Sequence, residues 1–252
     1  MKNKILVILV VVLLITVILY NKKQEIVKSS NKYKAYVINL DDRPDRFDTI
    51  TRNFDNASFI LERFSAIRDS VGWKGCGLSH MAITQIAKDS SMPSILIMED
   101  DCKPSKDFNT SWPLIKNWLD SNKGEWDIFV GGTTYYDVIY NSSDSIKPIC
   151  KLDSNIKLYY TKLLCLHFYY LNSSAYDKFL EWKKDITKNG AIDMWPNILN
   201  MKIVTSTPFI ATQTDGYSNI GNAHATYSVA FKESDKLIAS IQNNSACDLN
   251  KS

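Results

Sequence analysis

Three adjacent acidic residues follow the most apolar short segment of the folded part of the chain. Residues 95–98 (ILIM) predict a buried strand, and the acids directly after it are Glu99, Asp100 and Asp101. Carboxylates this close raise one another's pKa unless a positive charge lies between them. A hard divalent cation with oxygen ligands, such as Mn²⁺ or Mg²⁺, supplies that charge and can hold a diphosphate. The alternative is a solvated acidic turn.

A second polar segment, residues 39–46 (NLDDRPDR), follows another predicted strand. Arg43 and Arg46 lie three positions apart at the predicted start of a helix, so both can project to one side. Guanidinium groups there suit recognition of a phosphate or a base. Surface ion pairs with the neighbouring aspartates are the alternative.

A third segment, residues 75–80 (GCGLSH), precedes a predicted helix. Its glycines permit close backbone approach, and Ser79 is expected to cap a helix whose N-terminus attracts anions. The spacing matches no standard phosphate-binding loop. For His80, the alternative to a ligand-binding role is a structural histidine.

Strands and helices alternate through the rest of the chain. Strands are predicted at residues 35–40, 59–67, 95–98, 127–130, 164–171 and 202–205, and helices at 44–53, 79–88, 111–119 and 173–182. Residues 133–157 are expected to form an irregular polar loop, and residues 232–252 a frayed tail. This order predicts an α/β domain over residues 33–231 with a mostly parallel sheet. Its ligand crevice is expected beyond the carboxyl ends of the strands.

The composition is that of a globular protein with an added apolar N-terminus. The 252 residues carry a formal net charge of +3, with acids and bases interspersed, which excludes a typical nucleic-acid binder. Residues 5–20 form an unbroken apolar run between lysines. This predicts an uncleaved single-pass membrane anchor over residues 1–20, with a cleaved signal peptide as the alternative. Residues 21–32 then read as a polar tether.

The side of the membrane on which the domain lies stays open. Lysines flank the apolar run on both sides, so the positive-inside rule does not favour a lumenal domain. The five cysteines show no metal-binding spacing, and their odd number indicates buried thiols, with room for one disulfide. Glycosylation sequons support secretion only weakly. They begin at Asn56, Asn109, Asn141, Asn172 and Asn243.

Taken in order, these segments resemble glycosyltransferase family 25, which includes bacterial lipooligosaccharide galactosyltransferases and procollagen galactosyltransferases. The matching segments are residues 36–40 with 43–46, residues 75–80 and residues 95–101. Weaker agreement continues at Ile192-Asp193 and at residues 208–220. The resemblance therefore extends over roughly residues 34–220.

The resemblance implies a GT-A-type nucleotide-diphospho-sugar transferase fold and a UDP-sugar donor. A hexose, galactose or glucose, would be transferred with inversion to a hydroxyl of a glycan or protein acceptor. The acidic triplet would hold Mn²⁺ or Mg²⁺ through Glu99 and Asp101, with Asp100 at the donor and His224 as a further metal ligand. The other implied donor-binding residues are Asn39, Leu40, Arg43, Arg46, Gly75, Ser79 and His80.

Inversion requires a base that takes the proton of the acceptor hydroxyl. Asp193 lies between apolar neighbours, where partial desolvation would raise its basicity, and we expect it to be that base. Its alternative role is a helix cap ahead of Pro196.

Two other functions stay open at this point. A metal-dependent phosphohydrolase also uses acids at strand ends, but such enzymes commonly assemble several histidines, and this chain has three. A catalytically inactive, membrane-tethered glycan-binding protein could share the fold. The intact acidic triplet argues against that function.

Overall fold

Residues 32–138, 143–218 and 223–247 are described by the computed structural model of the chain. The predicted anchor at residues 1–20 and nearly all of the tether lie outside these ranges. No helix within the described ranges is long and apolar enough to cross a membrane.

The described residues are built around one large sheet and two small ones. The strands are β1 (Tyr33–Asn39), β2 (Phe59–Ser65), β3 (Ser94–Glu99), β4 (Cys102–Pro104), β5 (Ile128–Val130), β6 (Lys147–Lys151), β7 (Lys157–Tyr160), β8 (Phe168–Asn172), β9 (Ile203–Thr207), β10 (Ala211–Gln213), β11 (Gly216–Ser218) and β12 (Ala223–Ala225). The helices are α1 (Pro44–Asn53), α2 (Gly72–Asp89), α3 (Phe108–Ser121), α4 (Tyr135–Val138), α5 (Tyr176–Leu180), α6 (Ile186–Asn189), α7 (Trp195–Ile198) and α8 (Ser228–Ser240). Short 3₁₀ turns lie at Ser173–Ala175, Glu181–Lys184 and Ile192–Met194.

The large sheet has the order β2-β1-β3-β8-β5-β9-β7-β6. Strands β8 and β7 run antiparallel to both of their neighbours, and the other pairs are parallel. Six of the eight strands therefore point the same way. Antiparallel pairs join β10 to β4 and β11 to β12 in the small sheets. The predicted α/β class with a mostly parallel sheet is confirmed.

Helices cover both faces of this sheet. Successive residues of β3 point to opposite sides: Leu96 and Met98 pack in the cluster that contains α1 and α3 residues. Ile95 and Ile97 pack in a second cluster with residues of α2 and α5. Because side chains alternate across a strand, a strand buried on both faces is apolar at every position, as the ILIM segment is.

Two predicted helix starts are wrong. Helix α2 begins at Gly72, so Ser79 is not its cap but lies inside it and donates a hydrogen bond to the Gly75 carbonyl. The glycines of this segment were expected to permit close backbone approach ahead of the helix; they permit it inside α2, against other protein atoms. A Cβ at Gly75 would lie 2.5 Å from the Ile67 carbonyl oxygen.

Helix α3 likewise begins before the residue that was predicted to cap it. It starts at Phe108, and Ser111 lies within its first turns rather than at its end. Phe108 packs in the core, so the helix begins three residues before the predicted start at residue 111.

The segment predicted to be an irregular loop, residues 133–157, contains α4 and β6 in its described part. The predicted tail from residue 232 is also packed. Helix α8 crosses that position and buries Phe231 and Ile238, and a disulfide joins Cys150 to Cys247. The chain therefore follows the domain surface as far as Cys247.

The asparagines of two glycosylation sequons are buried and hydrogen-bonded within the domain. Asn172 donates hydrogen bonds to the Lys123 and Trp126 carbonyls, and Asn243 donates to the Cys150 and Leu158 carbonyls. Both asparagines are buried. A glycan needs a surface asparagine, so these two positions are not acceptors in the folded domain.

Replacing Gly77 by Ala is expected to destabilise the domain. The added Cβ would lie 2.2 to 2.9 Å from three atoms of the Trp182 ring. We expect the free energy of unfolding to fall by about 1–2 kcal/mol, because overpacking outweighs the higher helix propensity of Ala. Urea unfolding measures the change. Gly124→Ala is the matched control, since its Cβ would meet no atom of the described residues within 4 Å. Equal midpoints for the two variants would contradict the prediction.

Candidate active site

The pairing of β1 with β3 brings polar side chains together where the two strands end. Ile38 is paired with Glu99, so the next residues, Asn39 and Asp100, emerge side by side. Asn39 Nδ2 donates to Asp100 Oδ2 at 2.7 Å, and Arg46 Nη1 from α1 donates to Asp100 Oδ1 at 3.1 Å. The charge of Asp100 is thus compensated by Arg46.

The two predicted arginines have different surroundings. Arg43 donates from Nε and Nη2 to the exposed Asp45 carboxylate at 3.0 and 2.9 Å. Arg46 reaches from Asp100 to the Tyr217 carbonyl oxygen, to which its Nη2 donates at 2.6 Å. Arg46 therefore links α1, the end of β3 and the β11–β12 hairpin.

Glu99 and Asp101 share a different partner, Gln213 of β10. The Gln213 Nε2 atom lies 3.3 Å from Glu99 Oε2 and 3.4 Å from each carboxylate oxygen of Asp101. Among the described residues, neither acid forms an ion pair with a lysine or an arginine. Burial and the charge of Asp100 raise the pKa of Glu99 to about 7. Burial and the charge of Glu99 raise the pKa of Asp101 to about 8.

The third predicted segment forms the wall behind Glu99. His80 Nε2 lies 3.2 Å from Glu99 Oε1, and Cys76 Sγ lies 3.8 Å from the same oxygen. The other ring nitrogen, His80 Nδ1, is 3.0 Å from the Tyr169 hydroxyl. Burial lowers the pKa of His80 to about 4, so the ring is neutral at pH 7.

Gly75 and Ser79 do not line the cavities beside the acids. The Ser79 hydroxyl accepts a hydrogen bond from the Ile67 amide at 2.8 Å and is buried. The segment thus contributes Cys76 and His80 to the site, rather than a helix N-terminus that faces an anion.

Two cavities meet at Asp100, Asp101 and Arg46. One, of about 430 Å³, is also lined by Glu99 and by a set of neighbours that comprises Ile38, Leu40, residues 66–70, Gly72, Cys76 and Ser218. The other, of about 250 Å³, extends toward Arg43, Thr49, residues 214–218 and Tyr227. A larger cavity of about 740 Å³ lies elsewhere, between Ser105, Asp153 and Thr207, and includes none of the predicted site residues. The two cavities beside the acids, rather than the larger one, therefore form the candidate active-site cleft.

Asp193 lies in the Ile192–Met194 turn and is partly buried. Burial and the charge of Glu99 raise its pKa to about 6, and His80 contributes in the opposite direction. The charge of Glu99 therefore acts on Asp193, although Asp193 lines neither of the two cavities beside the acids. Its carboxylate also accepts hydrogen bonds from the Cys165 and Asp193 backbone amides, which lower its pKa, and the N-cap residues of this turn and of helix α7 are Ala191 and Met194.

His224 is exposed on β12, where its ring faces that of Tyr217 across the hairpin at a centroid distance of 5.8 Å. The structure does not group it with the acids. Within the described ranges, the one group of three potential metal ligands is Cys76, His80 and Glu99. Sequence reasoning missed Gln213 and Cys76, although both lie in segments that carry the family resemblance.

Comparison with known proteins identifies the family. A sequence profile described as glycosyltransferase family 25 (LPS biosynthesis protein) matches residues 69–195, about half of the chain. The chain belongs to glycosyltransferase family 25. The matched region of this family 25 member contains α2, the acidic triplet and Asp193.

Solved structures resemble it only distantly. A Bacillus anthracis protein assigned as a glucose-1-phosphate thymidylyltransferase, in complex with a sucrose, is 9% identical with a TM-score of 0.36, and the match covers 83% of this chain and 77% of that one. The inositol-1-phosphate CTP transferase from T. maritima is 11% identical with a TM-score of 0.34, over 85% and 79%. No curated protein matches the sequence significantly.

The pH dependence of stability tests the environment of Asp101. Its folded pKa of about 8 exceeds the unfolded value of about 4, so between these values the folded state keeps a proton that the unfolded chain has released. The free energy of unfolding therefore falls as pH rises through this window, and the loss is complete above the folded pKa. We expect Asp101→Asn to flatten this fall in urea unfolding of the metal-free protein between about pH 5 and about pH 8. Asp48→Asn, at an exposed position, is the control; an unchanged slope in Asp101→Asn would refute the prediction.

Proposed function

We propose that this family 25 member is an inverting, metal-dependent glycosyltransferase that moves a galactose or glucose from a UDP-sugar to a hydroxyl of a glycan or protein. Family membership implies glycosyl transfer. The observation that supports the finer statement is the pair Glu99 and Asp101. Both carboxylates lie at the end of β3 beside a cavity of about 430 Å³, with no lysine or arginine partner among the described residues.

The acid pair fits a hard divalent cation such as Mn²⁺ or Mg²⁺. Its oxygens are the ligand type that these ions prefer, and a cation removes the repulsion that raises both pKa values. Gln213 Oε1 is buried and has no hydrogen-bond partner in the part of the chain that the structure describes, so a cation or its water would also satisfy this atom. When bound, the cation supplies Lewis-acid stabilisation of the charge that develops on the departing UDP.

Arg46 is suited to bind the diphosphate of the donor. Its guanidinium lies where the two cavities meet and is held on one side by Asp100 and on the other by the Tyr217 carbonyl. The side chain is 21% exposed, which leaves donor groups for a phosphate oxygen. We assign the nucleoside to the cavity of about 430 Å³, between Leu40 and residues 66–70. Asn39 then positions the site through Asp100 rather than by touching the donor.

We assign Asp193 as the base. A carboxylate with a pKa of about 6 is a stronger base than an ordinary aspartate and is still mainly ionised at neutral pH. The proton of the acceptor hydroxyl passes to the Asp193 carboxylate while the hydroxyl oxygen bonds to the anomeric carbon and UDP leaves.

The phosphohydrolase alternative is weaker. His80 and His167 are buried, His224 is exposed beside Tyr217, and the described residues bring none of them into a metal-ligand group with Asp101. A UDP-sugar assay that also measures free phosphate separates the two activities. The inactive glycan-binding alternative predicts neither product.

Asp101→Ala is expected to abolish Mn²⁺-dependent turnover of UDP-galactose or UDP-glucose. Loss of one metal ligand removes several kcal/mol of transition-state stabilisation, a decrease of about 10²–10³-fold or more in kcat/KM. Release of UDP measures turnover, and thermal unfolding checks that the variant is folded. Asp48→Ala is the surface control. Turnover within a few-fold of wild type in Asp101→Ala would exclude this residue from the metal site.

Asp193→Asn is expected to retain donor binding and lose transfer. The amide preserves the shape of the side chain but cannot accept the proton, so kcat should fall by about 10²–10⁴-fold. Thermal shift with UDP-sugar and Mn²⁺ reports donor binding, because a ligand stabilises the folded state in proportion to the logarithm of its concentration over Kd. Asp177→Asn, at an exposed position, is the control. Transfer at a near wild-type rate would place the base elsewhere.

We also propose that the domain faces an oxidising compartment, tethered by the apolar segment at residues 5–20. The Cys150–Cys247 disulfide supports a location on the oxidising side of the membrane, because disulfides persist in such compartments and are rare in the cytosol. Mass spectrometry of non-reduced peptides from cells tests the assignment. Recovery of Cys150 and Cys247 only as free thiols would overturn it.

A further inference from the structure

Three side chains with different ligand atoms meet on the α2 side of the cleft. Cys76 Sγ, His80 Nε2 and a carboxylate oxygen of Glu99 all lie within 4.8 Å of one another. Glu99 Oε1 is 3.2 Å from the nitrogen and 3.8 Å from the sulfur. Ligand atoms around a tetrahedral Zn²⁺, with bonds of about 2.0–2.3 Å, are separated by about 3.3–3.8 Å. The group is therefore close to the spacing of a tetrahedral site before any ion is added.

The backbone holds this group in place. Cys76 and His80 are four residues apart on α2 and so lie on one helix face. Gly77 allows α2 to pack directly on the Trp182 ring, and Gly75 brings it against the Ile67 carbonyl. Glu99 is fixed from the other side by the end of β3.

The imidazole is also oriented. His80 Nδ1 lies 3.0 Å from the Tyr169 hydroxyl, which can accept its N–H. In that tautomer the Nε2 lone pair points toward Glu99, where an ion would lie. Histidines that bind metals commonly donate their second N–H to such a partner, which fixes the tautomer.

An ion can reach the group from solvent. Cys76 and Glu99 both line the cavity of about 430 Å³, whereas His80 is fully buried behind them. Three protein ligands with one side open to a cavity leave a fourth position for water.

We propose that Cys76, His80 and Glu99 form a second metal site, which takes a thiophilic transition-metal ion such as Zn²⁺. On binding, the Cys76 thiol releases its proton to solvent, and the thiolate, the neutral imidazole and the carboxylate donate electron pairs to the ion. A thiolate ligand selects Zn²⁺ over Mn²⁺ and Mg²⁺. The ion binds without any sugar donor, so this proposal goes beyond the transferase function.

The site has a consequence that rests on the proposed function. Glu99 belongs both to this group and to the pair that it forms with Asp101. Glu99 Oε1 faces Cys76 and His80 while Oε2 faces Gln213, so the carboxylate would bridge the two sites. Zn²⁺ on Oε1 would neutralise part of the charge that attracts the hard cation, and Zn²⁺ should therefore inhibit Mn²⁺-dependent transfer.

Co²⁺ is the probe for binding, since a thiolate ligand gives it a charge-transfer absorption in the near ultraviolet. We expect the full-length protein to develop this band without a sugar donor and to lose it when Zn²⁺ displaces Co²⁺. Cys76→Ser should abolish the band. Cys165→Ser is the control, because Cys165 is also a free thiol but is buried and hydrogen-bonded to Thr134. Tyr169→Phe should weaken Zn²⁺ affinity by about 10–100-fold, since it removes the partner that orients His80.

A measurement on the wild-type chain guards against a misfolded variant. Zn²⁺ should protect Cys76 from iodoacetamide, as read by peptide mass spectrometry, and Mg²⁺ should not. Absence of the Co²⁺ band from the wild type, an equal band in Cys76→Ser, or no protection of Cys76 would each overturn the proposal.

Asp101→Asn separates this proposal from the transferase function. The variant should keep the Co²⁺ band, because Asp101 is not among the three ligands, while it loses Mn²⁺-dependent turnover. A band that disappears in Asp101→Asn would show that the thiophilic site is not independent and overturn it. A band in a protein that never turns over a UDP-sugar would refute the transferase function and leave the metal site standing.

Discussion

The site depends on the directions in which three consecutive acids point where β3 ends and passes into a turn. Glu99 and Asp101 share Gln213, while Asp100 contacts Asn39 and Arg46. Three consecutive acids are thereby divided into one that is neutralised within the protein and two that are not. The strand register of β1 against β3 maintains this division, because it brings Asn39 beside Asp100.

Unneutralised charge beside an apolar core is unfavourable for the isolated domain. Desolvation and mutual repulsion raise the pKa values of Glu99 and Asp101, so the folded state is less stable with both ionised. Natural proteins retain such arrangements mainly at functional sites, where a ligand removes the penalty. The fold tolerates this unfavourable charge because large apolar side chains pack on both faces of the sheet, and the acids lie only where β3 ends.

The sequence was most informative where one local pattern decided the structure. The apolar runs that became β1, β3 and β5 were predicted because strands buried on both faces have no polar positions, and the acids at the end of β3 followed from them. Errors arose where long-range packing decided. Gly75 and Gly77 were predicted to lie ahead of a helix, although they lie inside α2 and allow it to approach Ile67 and Trp182. Gln213 lies 114 residues from Glu99 in the chain, and no local pattern could pair them. Helix α8 was missed because its buried Phe231 and Ile238 lie among charged residues.

The Cys150–Cys247 bond divides the site in a way that matters for folding. Asp193 and Gln213 lie within the closed covalent ring, whereas Glu99, Asp101 and Arg46 lie on the open N-terminal arm. In a chain that is oxidised but unfolded, one part of the site therefore lies in the covalent ring and the other part in the linear N-terminal arm. The two halves are joined in the sheet where β3 of the arm pairs with β8 of the ring, from Ser94 with Asn172 to Met98 with Phe168. Assembly of the cleft thus coincides with the docking of that arm onto the ring.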